Sequence, residues 1–205
     1  MGVGSQRVAL EEPRLAATFQ VRKEAPDIVL LANLGAAQLN YGGGIEQCRQ
    51  AVAMIGADGL ILHLNALQEA IQPEGNTNFS GLLAKIKPVV AGLAVPVIVK
   101  EVGMGINGTV ALKLKKIGIK FVDVAGGGGT NWALVEGIRR GQREWGKIGN
   151  GLAFPTAEAI KECAQIPGLT VIGSGGIRNG LEIAKAIALG ADLVGIGLPF
   201  LKPAL

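Results

Sequence analysis

Short apolar runs that end in polar residues alternate along the chain with stretches whose apolar positions recur every three or four residues. The runs cover 27–33, 59–65, 96–102, 119–124, 169–174 and 192–196. They are apolar without strict alternation, the pattern of strands covered on both faces. The opening Met1-Gly-Val-Gly-Ser5 reads as the tail of a further strand, which makes about seven. Between the runs, Ile45, Cys48, Val52 and Ile55 fall at helical spacing, as do Val110, Leu114 and Ile117, and Leu181, Ala184 and Ala188. Another helix is expected over 132–140. Gly56, Gly92, Gly118, Gly168 and Gly190 stand where these helices end, the place for a left-handed cap. The phrase Gly56-Ala-Asp58 recurs as Gly190-Ala-Asp192.

A repeated strand–helix unit builds either an open doubly wound sheet or a barrel. The polar residues favour the barrel. Asn33, His63, Asn65, Lys100, Glu101, Asp123 and Ser174 all lie at or just past the carboxyl ends of their strands. In a barrel those ends form one ring, whereas an open sheet uses only the ends beside its switch point. The expected fold class is α/β, a (β/α)8 TIM barrel with about seven of its eight strands in a single domain over 1–205. The unit count leads us to expect another strand before residue 1 and a helix after residue 205.

Composition narrows the function classes. With 49% hydrophobic and 18% charged residues, disorder is excluded as the main state, and the 32 glycines have no three-residue period, which excludes collagen. The net charge of +4 mildly favours an anionic ligand. Basic residues are scattered and aromatics make up only 4%, so no nucleic-acid partner is expected. No apolar run approaches the ~18 residues of a membrane span, and the start lacks a secretory pattern, so no membrane association and a cytoplasmic location are expected. Cys48 and Cys163 sit in opposite halves, which speaks against a disulfide framework or a zinc site.

Several stretches could carry chemistry. Ser174-Gly-Gly-Ile-Arg178, between a strand and a helix, has the make-up of a phosphate cradle, and Gly195-Ile-Gly-Leu-Pro199 would supply its second wall. The plainer reading is two tight turns. Ala125-Gly-Gly-Gly-Gly-Thr130 suits a backbone pressed against a flat or anionic ligand, with a flexible linker as the alternative. Lys100 at a strand end calls for an anion or a polarised ring atom, or else a structural ion pair with Glu101 or Asp123. The Asn33 amide could serve a ring carbonyl or simply satisfy loop backbone. His63-Leu-Asn65 leads into Gln68-Glu69, expected to begin a loop, and then Gln72-Pro-Glu-Gly75. One carboxylate with amide oxygens suits Mg2+ held partly by phosphate and water. A lone histidine is most often simply packed. No nucleophile elbow or serine–histidine–carboxylate order is present, so acyl transfer is poorly supported.

Together these motifs resemble the type 2 isopentenyl-diphosphate isomerases. The resemblance rests on Met1-Gly-Val-Gly-Ser-Gln-Arg7, Ala32-Asn-Leu-Gly35, His63-Leu-Asn65 with Gln68-Glu69, Gln72-Pro-Glu-Gly75, Lys100-Glu-Val-Gly103, Asp123-Val-Ala125, Gly128-Gly-Thr130, Ser174-Gly-Gly-Ile-Arg178 and Pro199-Phe-Leu201. It implies a (β/α)8 barrel that binds FMN and Mg2+, takes reducing equivalents from NAD(P)H, and interconverts isopentenyl and dimethylallyl diphosphate, working as a homo-oligomer (tetramer or octamer). Carried over residue by residue, Ser5, Asn33, Lys100, Thr130, Gly175, Gly176, Arg178, Gly197 and Leu198 resemble FMN contacts. Arg7, His63, Asn65 and Gln68 resemble substrate contacts, with Gln68 the catalytic residue nearest the reacting carbons and Arg7 on the diphosphate. Glu69 resembles the Mg2+ ligand. The family's Arg-Lys-x-x-His segment and Met-Thr-Gly-Gly loop are absent, and 139–154 matches loosely. Two alternatives remain: an FMN oxidoreductase of the 2-hydroxy-acid oxidase or inosinate dehydrogenase kind, and a non-catalytic barrel remnant. The former lacks a histidine base after His63 and a cysteine in a loop.

Overall fold

The structure is a computed structural model and describes residues 1–204. Six parallel strands form one sheet in chain order: β1 (Leu31–Gly35), β2 (Gly59–Leu64), β3 (Val97–Glu101), β4 (Phe121–Asp123), β5 (Thr170–Gly173) and β6 (Leu193–Val194). Parallel neighbours need long crossovers, and helices supply them. In chain order these are α1 (Arg7–Glu11), α2 (Ile45–Ile55), α3 (Ala66–Ile71), α4 (Leu82–Gly92), α5 (Gly108–Lys116), α6 (Trp132–Arg139), α7 (Arg143–Leu152), α8 (Thr156–Ala164), α9 (Gly180–Ala188) and α10 (Leu198–Ala204). Sequential strand order with interleaved helices agrees with the barrel reading, although the sheet does not close on itself. Gly2 bridges Leu31 in parallel, so the opening residues extend the sheet past β1, as the sequence suggested. No helix among the described residues is long and apolar enough to cross a membrane.

The core lies between sheet and helices. Leu60, Leu62, Val99, Val122 and Val171 are buried together with Cys48, Ala51, Ile86, Val89, Leu114 and Ile160. The repeated Gly-Ala-Asp phrase has one geometry in both places. Asp58 accepts from the Leu30 amide and Asp192 from the Val171 amide, each at 2.7 Å through Oδ2. Each carboxylate thereby fastens the entry of its own strand to that of the strand before. Gly56 and Gly190 turn the chain into that position at φ 59° and 106°.

Several expectations need correction. Strand β1 starts at Leu31 and not at 27, because Arg22 holds Ile28 O at 2.8 Å and Asp58 takes the Leu30 amide before ladder pairing begins. Gly92 is no left-handed cap. It ends α4, and a side chain there would meet Ile45 Cδ1 at 2.5 Å, so close helix contact explains it. Gln68 and Glu69 stand in helix α3, not in a loop. The closing helix expected only after residue 205 has a counterpart within the chain, since α10 follows β6. Helix α7, for which periodicity gave no element, pairs with α6 where Gly137 approaches Gly146. A Cβ at Gly137 would lie 2.8 Å from the Gly146 nitrogen.

Candidate functional site

Strand register brings the polar ends together. His63 on β2 pairs with Gly35 on β1 and with Lys100 on β3, and Lys100 pairs with Asp123 on β4. The Asn33 amide donates to Val3 O at 2.9 Å, and its Oδ1 lies 2.8 Å from His63 Nδ1. That Oδ1 can only accept, so Nδ1 carries the proton and Nε2 is left as an acceptor, a tautomer assigned from the hydrogen-bond network. Burial, helped by the Lys100 charge, pushes His63 down to about 4. At neutral pH it is an uncharged acceptor, not a cation for a diphosphate. Lys100 Nζ lies 3.2 Å from Asp123 Oδ2, and Asp123 Oδ1 accepts from Ser174 Oγ. The structural ion pair weighed for Lys100 is therefore present, while the same lysine also lines a cavity.

That cavity, of about 790 Å3, opens at the carboxyl ends of the strands and is of ligand size. Its walls include Asn33, Lys100, Thr130, Gly175, Gly176, Arg178, Gly197 and Leu198, the predicted FMN set without Ser5. Gly175 and Gly176 have φ of 110° and 86°, which favours glycine there. The four-glycine stretch is neither a linker nor free to curl around a ligand on its own. It presses on the 175–176 loop, where a Cβ on Gly128 would lie 2.8 Å from Gly175 O and one on Gly129 2.8 Å from Gly176 N. The amides of Gly175, Gly176 and Gly197 donate to no backbone carbonyl among the described residues, so they can meet phosphate oxygens. The amino end of α9 offers less than expected. Its Glu182 carboxylate already takes the Arg178 amide at 2.6 Å, and the Asn179 side chain takes the Glu182 amide at 3.0 Å. The loop amides are thus the groups open to an anion, beside the Arg178 guanidinium, which donates to Gly176 O at 3.1 Å and Gly128 O at 3.4 Å. Unpaired amides, a lysine and a cavity of this volume fit a flat phosphorylated group such as FMN.

A narrow recess with no room for a water molecule adjoins it, lined by Asn65, Gln68, Glu101, Met104 and Ala133, with Val102 and Trp132 shared between the two. Glu69 is buried below, its Oε1 accepting from Asn65 Nδ2 at 2.8 Å and its Oε2 from the Asn76 amide at 2.5 Å. Asn65 Oδ1 is buried with no partner. Among the described residues no cluster of three metal-ligating side chains exists. One carboxylate beside an orphaned amide oxygen still fits Mg2+ when phosphate and water complete its shell. Glu101 is buried too, and burial raises its carboxyl pKa. It accepts from the Val102 and Met104 amides at 2.6 and 2.5 Å and so shapes the loop after β3.

Four of the predicted residues line neither space: His63 and Glu69, whose contacts are given above, and Ser5 and Arg7. Ser5 is exposed, and Arg7 on α1 pairs with Glu11 at 2.8 Å on the surface. Between them the fully buried Gln6 does structural work, accepting from the Asn33 backbone N–H at 2.9 Å and donating to Ala51 O at 3.0 Å. The sequence reading also passed over Glu136. It is buried on α6 with Oε1 3.4 Å from Gln68 Nε2. Its position four residues after Trp132, on the same helix face, was the available signal.

No family model matches the chain. It is similar to curated proteins named isopentenyl-diphosphate delta-isomerase: 53% identical to one from Nostoc sp. over 100% of this chain and 59% of the relative. The figures are 53%, 100% and 60% for one from Synechocystis sp., and 49%, 100% and 61% for one from Rickettsia bellii. The chain spans about three-fifths of the length of the curated relatives it matches. Over its whole length, then, the chain is similar to proteins named isopentenyl-diphosphate delta-isomerase, with about half of its positions identical.

Proposed function

We propose that the chain forms the catalytic barrel of a type 2, FMN-dependent isopentenyl-diphosphate isomerase that interconverts isopentenyl and dimethylallyl diphosphate with Mg2+ and NAD(P)H as reductant. The observation that carries this reading is the glycine-walled cavity of cofactor size at the strand ends, which shares Val102 and Trp132 with a closely packed recess containing Gln68. Asn33, Lys100 and Thr130 would face the ring system, and Gly175, Gly176, Arg178, Gly197 and Leu198 the phosphate. Glu69, with Asn65 Oδ1 beside it, would hold Mg2+ against the substrate diphosphate. Reduced FMN, when bound, supplies an electron-rich face that stabilises positive charge developing on the five-carbon unit.

The chain's own residues do the rest. Trp132, partly exposed where the cavity and the recess meet, would cover the alkene once substrate is bound. Gln68 presents its carboxamide at the reacting carbons, where a proton must be added at one carbon and removed from another. Glu136 is the carboxylate that touches that amide. His63 Nε2, uncharged, can accept a hydrogen bond without adding charge to the site. The oxidoreductase alternative that needs a thiolate loses ground, because Cys48 and Cys163 are buried on α2 and α8, with burial pushing them up to about 11 and about 12.

Reconstitution tests the reading. Purified protein incubated with FMN is expected to turn yellow and, once reduced under nitrogen with Mg2+ present, to convert isopentenyl to dimethylallyl diphosphate. Gln68→Ala is expected to retain flavin and to lose about 100-fold or more in turnover. A protein that takes up no FMN, or isomerises equally well without it, would sink the proposal.

A further inference from the structure

The carboxamide of Gln68 has two ends that differ chemically, and its surroundings can distinguish them. One side offers a donor, Asn65 Nδ2, 3.4 Å from Gln68 Oε1. The other offers an acceptor, Glu136 Oε1, 3.4 Å from Gln68 Nε2. Both contacts are long for hydrogen bonds, so neither alone fixes the amide. A flipped amide would set its oxygen against the Glu136 carboxylate and its NH2 against the Asn65 NH2, two repulsive contacts in place of two attractive ones. The orientation therefore depends on where the Glu136 carboxylate is held. Arg139 holds it: its Nε donates to Glu136 Oε2 at 2.7 Å, one turn along α6. The same guanidinium is itself anchored, since Nη2 donates to Glu74 Oε1 at 2.5 Å in the segment after α3. Next door, Arg140 Nη1 donates to Ile71 O at 3.2 Å, tying α6 to the end of the helix that carries Gln68.

We propose that Arg139 is a positioning residue for Gln68: by bridging Glu136 to Glu74 it fixes the carboxylate that decides which end of the Gln68 amide faces the recess. This rests on the proposed isomerase reading only for its catalytic consequence. The arrangement of the amide can be measured without turnover. Arg139 is half-exposed and lies at the end of its helix, so replacing it leaves the fold standing. A guanidinium that meets two carboxylates through separate nitrogens is not matched by an ammonium, yet a lysine would still place a cation beside Glu136.

The test uses Arg139→Gln, Arg139→Lys and, as a surface control, Arg14→Gln. In nitrogen-15-labelled protein the side-chain amide signals of Gln68 are identified by their loss in Gln68→Ala. They are expected to shift in Arg139→Gln and to stay near their original place in Arg139→Lys and Arg14→Gln. If those signals stay put in Arg139→Gln, the proposal is overturned whether or not the protein isomerises anything. Where the wild type isomerises, Arg139→Gln is expected to lower kcat about tenfold with KM unchanged, and Arg139→Lys to recover to within about threefold. A raised KM with kcat intact would mean that Arg139 binds ligand and does not position the amide. A wild type without isomerase activity defeats the proposed function alone, because the amide signals still decide the role of Arg139.

Discussion

A histidine whose ring stays uncharged at neutral pH imposes a pH dependence on the whole fold. His63 has an ordinary value of 6.5 and is pushed down to about 4 by burial first and the Lys100 charge second. Between those values the unfolded chain binds a proton that the folded chain refuses, so stability rises with pH across that window. The contribution is complete above 6.5 and is lost as pH falls toward 4. At its largest it is about 3 kcal/mol. Urea unfolding of the wild type is expected to show its midpoint falling over this range, and His63→Gln is expected to lack that part of the fall. Glu101 acts with the opposite sign, since burial raises it and its contribution is lost as pH rises. The difference between the two proteins, not either profile alone, isolates the histidine. Parallel profiles would show that the ring is not desolvated. The sequence marked His63 as a rim residue correctly. It could not disclose the charge state, which depends first on burial within the fold and then on Lys100, one strand away in space and far away in the chain.

At the level of elements, periodicity located α2, α5 and α9 and the centres of the strands, because those depend on local pattern. Boundaries failed where a distant side chain intervened, as Asp58 does at Leu30. Short α3 escaped notice because six residues make fewer than two turns, too few to establish a helical period. On α9 the expected stripe through Leu181 is wrong. Leu181 is 66% exposed, and the helix buries Ala186, resting on a strand only two residues long. The glycine loops were identified as special, but not the partner that makes them so: 126–129 and 175–176 confine one another. This yields a prediction. Gly176→Ala places a side chain at φ 86° against the Gly128 backbone. The left-handed conformation alone costs about 1–2 kcal/mol, and relief of the collision must spread the two loops. FMN affinity is expected to fall by at least about tenfold, with a lowered thermal midpoint. Gly180→Ala, where nothing lies within 4 Å, is expected to leave both unchanged. Equal behaviour of the two variants in flavin titration and thermal unfolding would refute the mutual confinement of the loops.

Seen as a whole, the molecule makes one cavity out of its two ends. The wall begins with Met1, Gly2 and Val3, bridged to β1, and finishes with residues 193–198 beyond β5. The ring of polar strand ends was legible in the sequence, since register only had to bring adjacent tips together. The gap in the sheet was legible only as a strand count. Its chemistry is visible in the structure as apolar side chains on the open side, with Leu193 56% and Phe200 66% exposed. Unpaired strand edges open and fray more readily than interior strands. A ligand that touches both ends adds a connection the sheet lacks, and it binds the folded chain alone. At free FMN one hundred times its Kd, that linkage amounts to about 2.7 kcal/mol. The gain should be concentrated at the two edges, because the interior strands β2 to β5 are already paired on both sides. Hydrogen exchange followed by mass spectrometry, with and without FMN, is therefore expected to show added protection in peptides covering 1–5 and 193–198 together, with little change over 59–64. Phosphate alone, which would occupy only the 175–198 side, is expected to protect that edge and not the opening residues. Protection confined to one edge with FMN would mean that the ligand sits against one wall, and the two-ended cavity would lose its claim to be a single cofactor site.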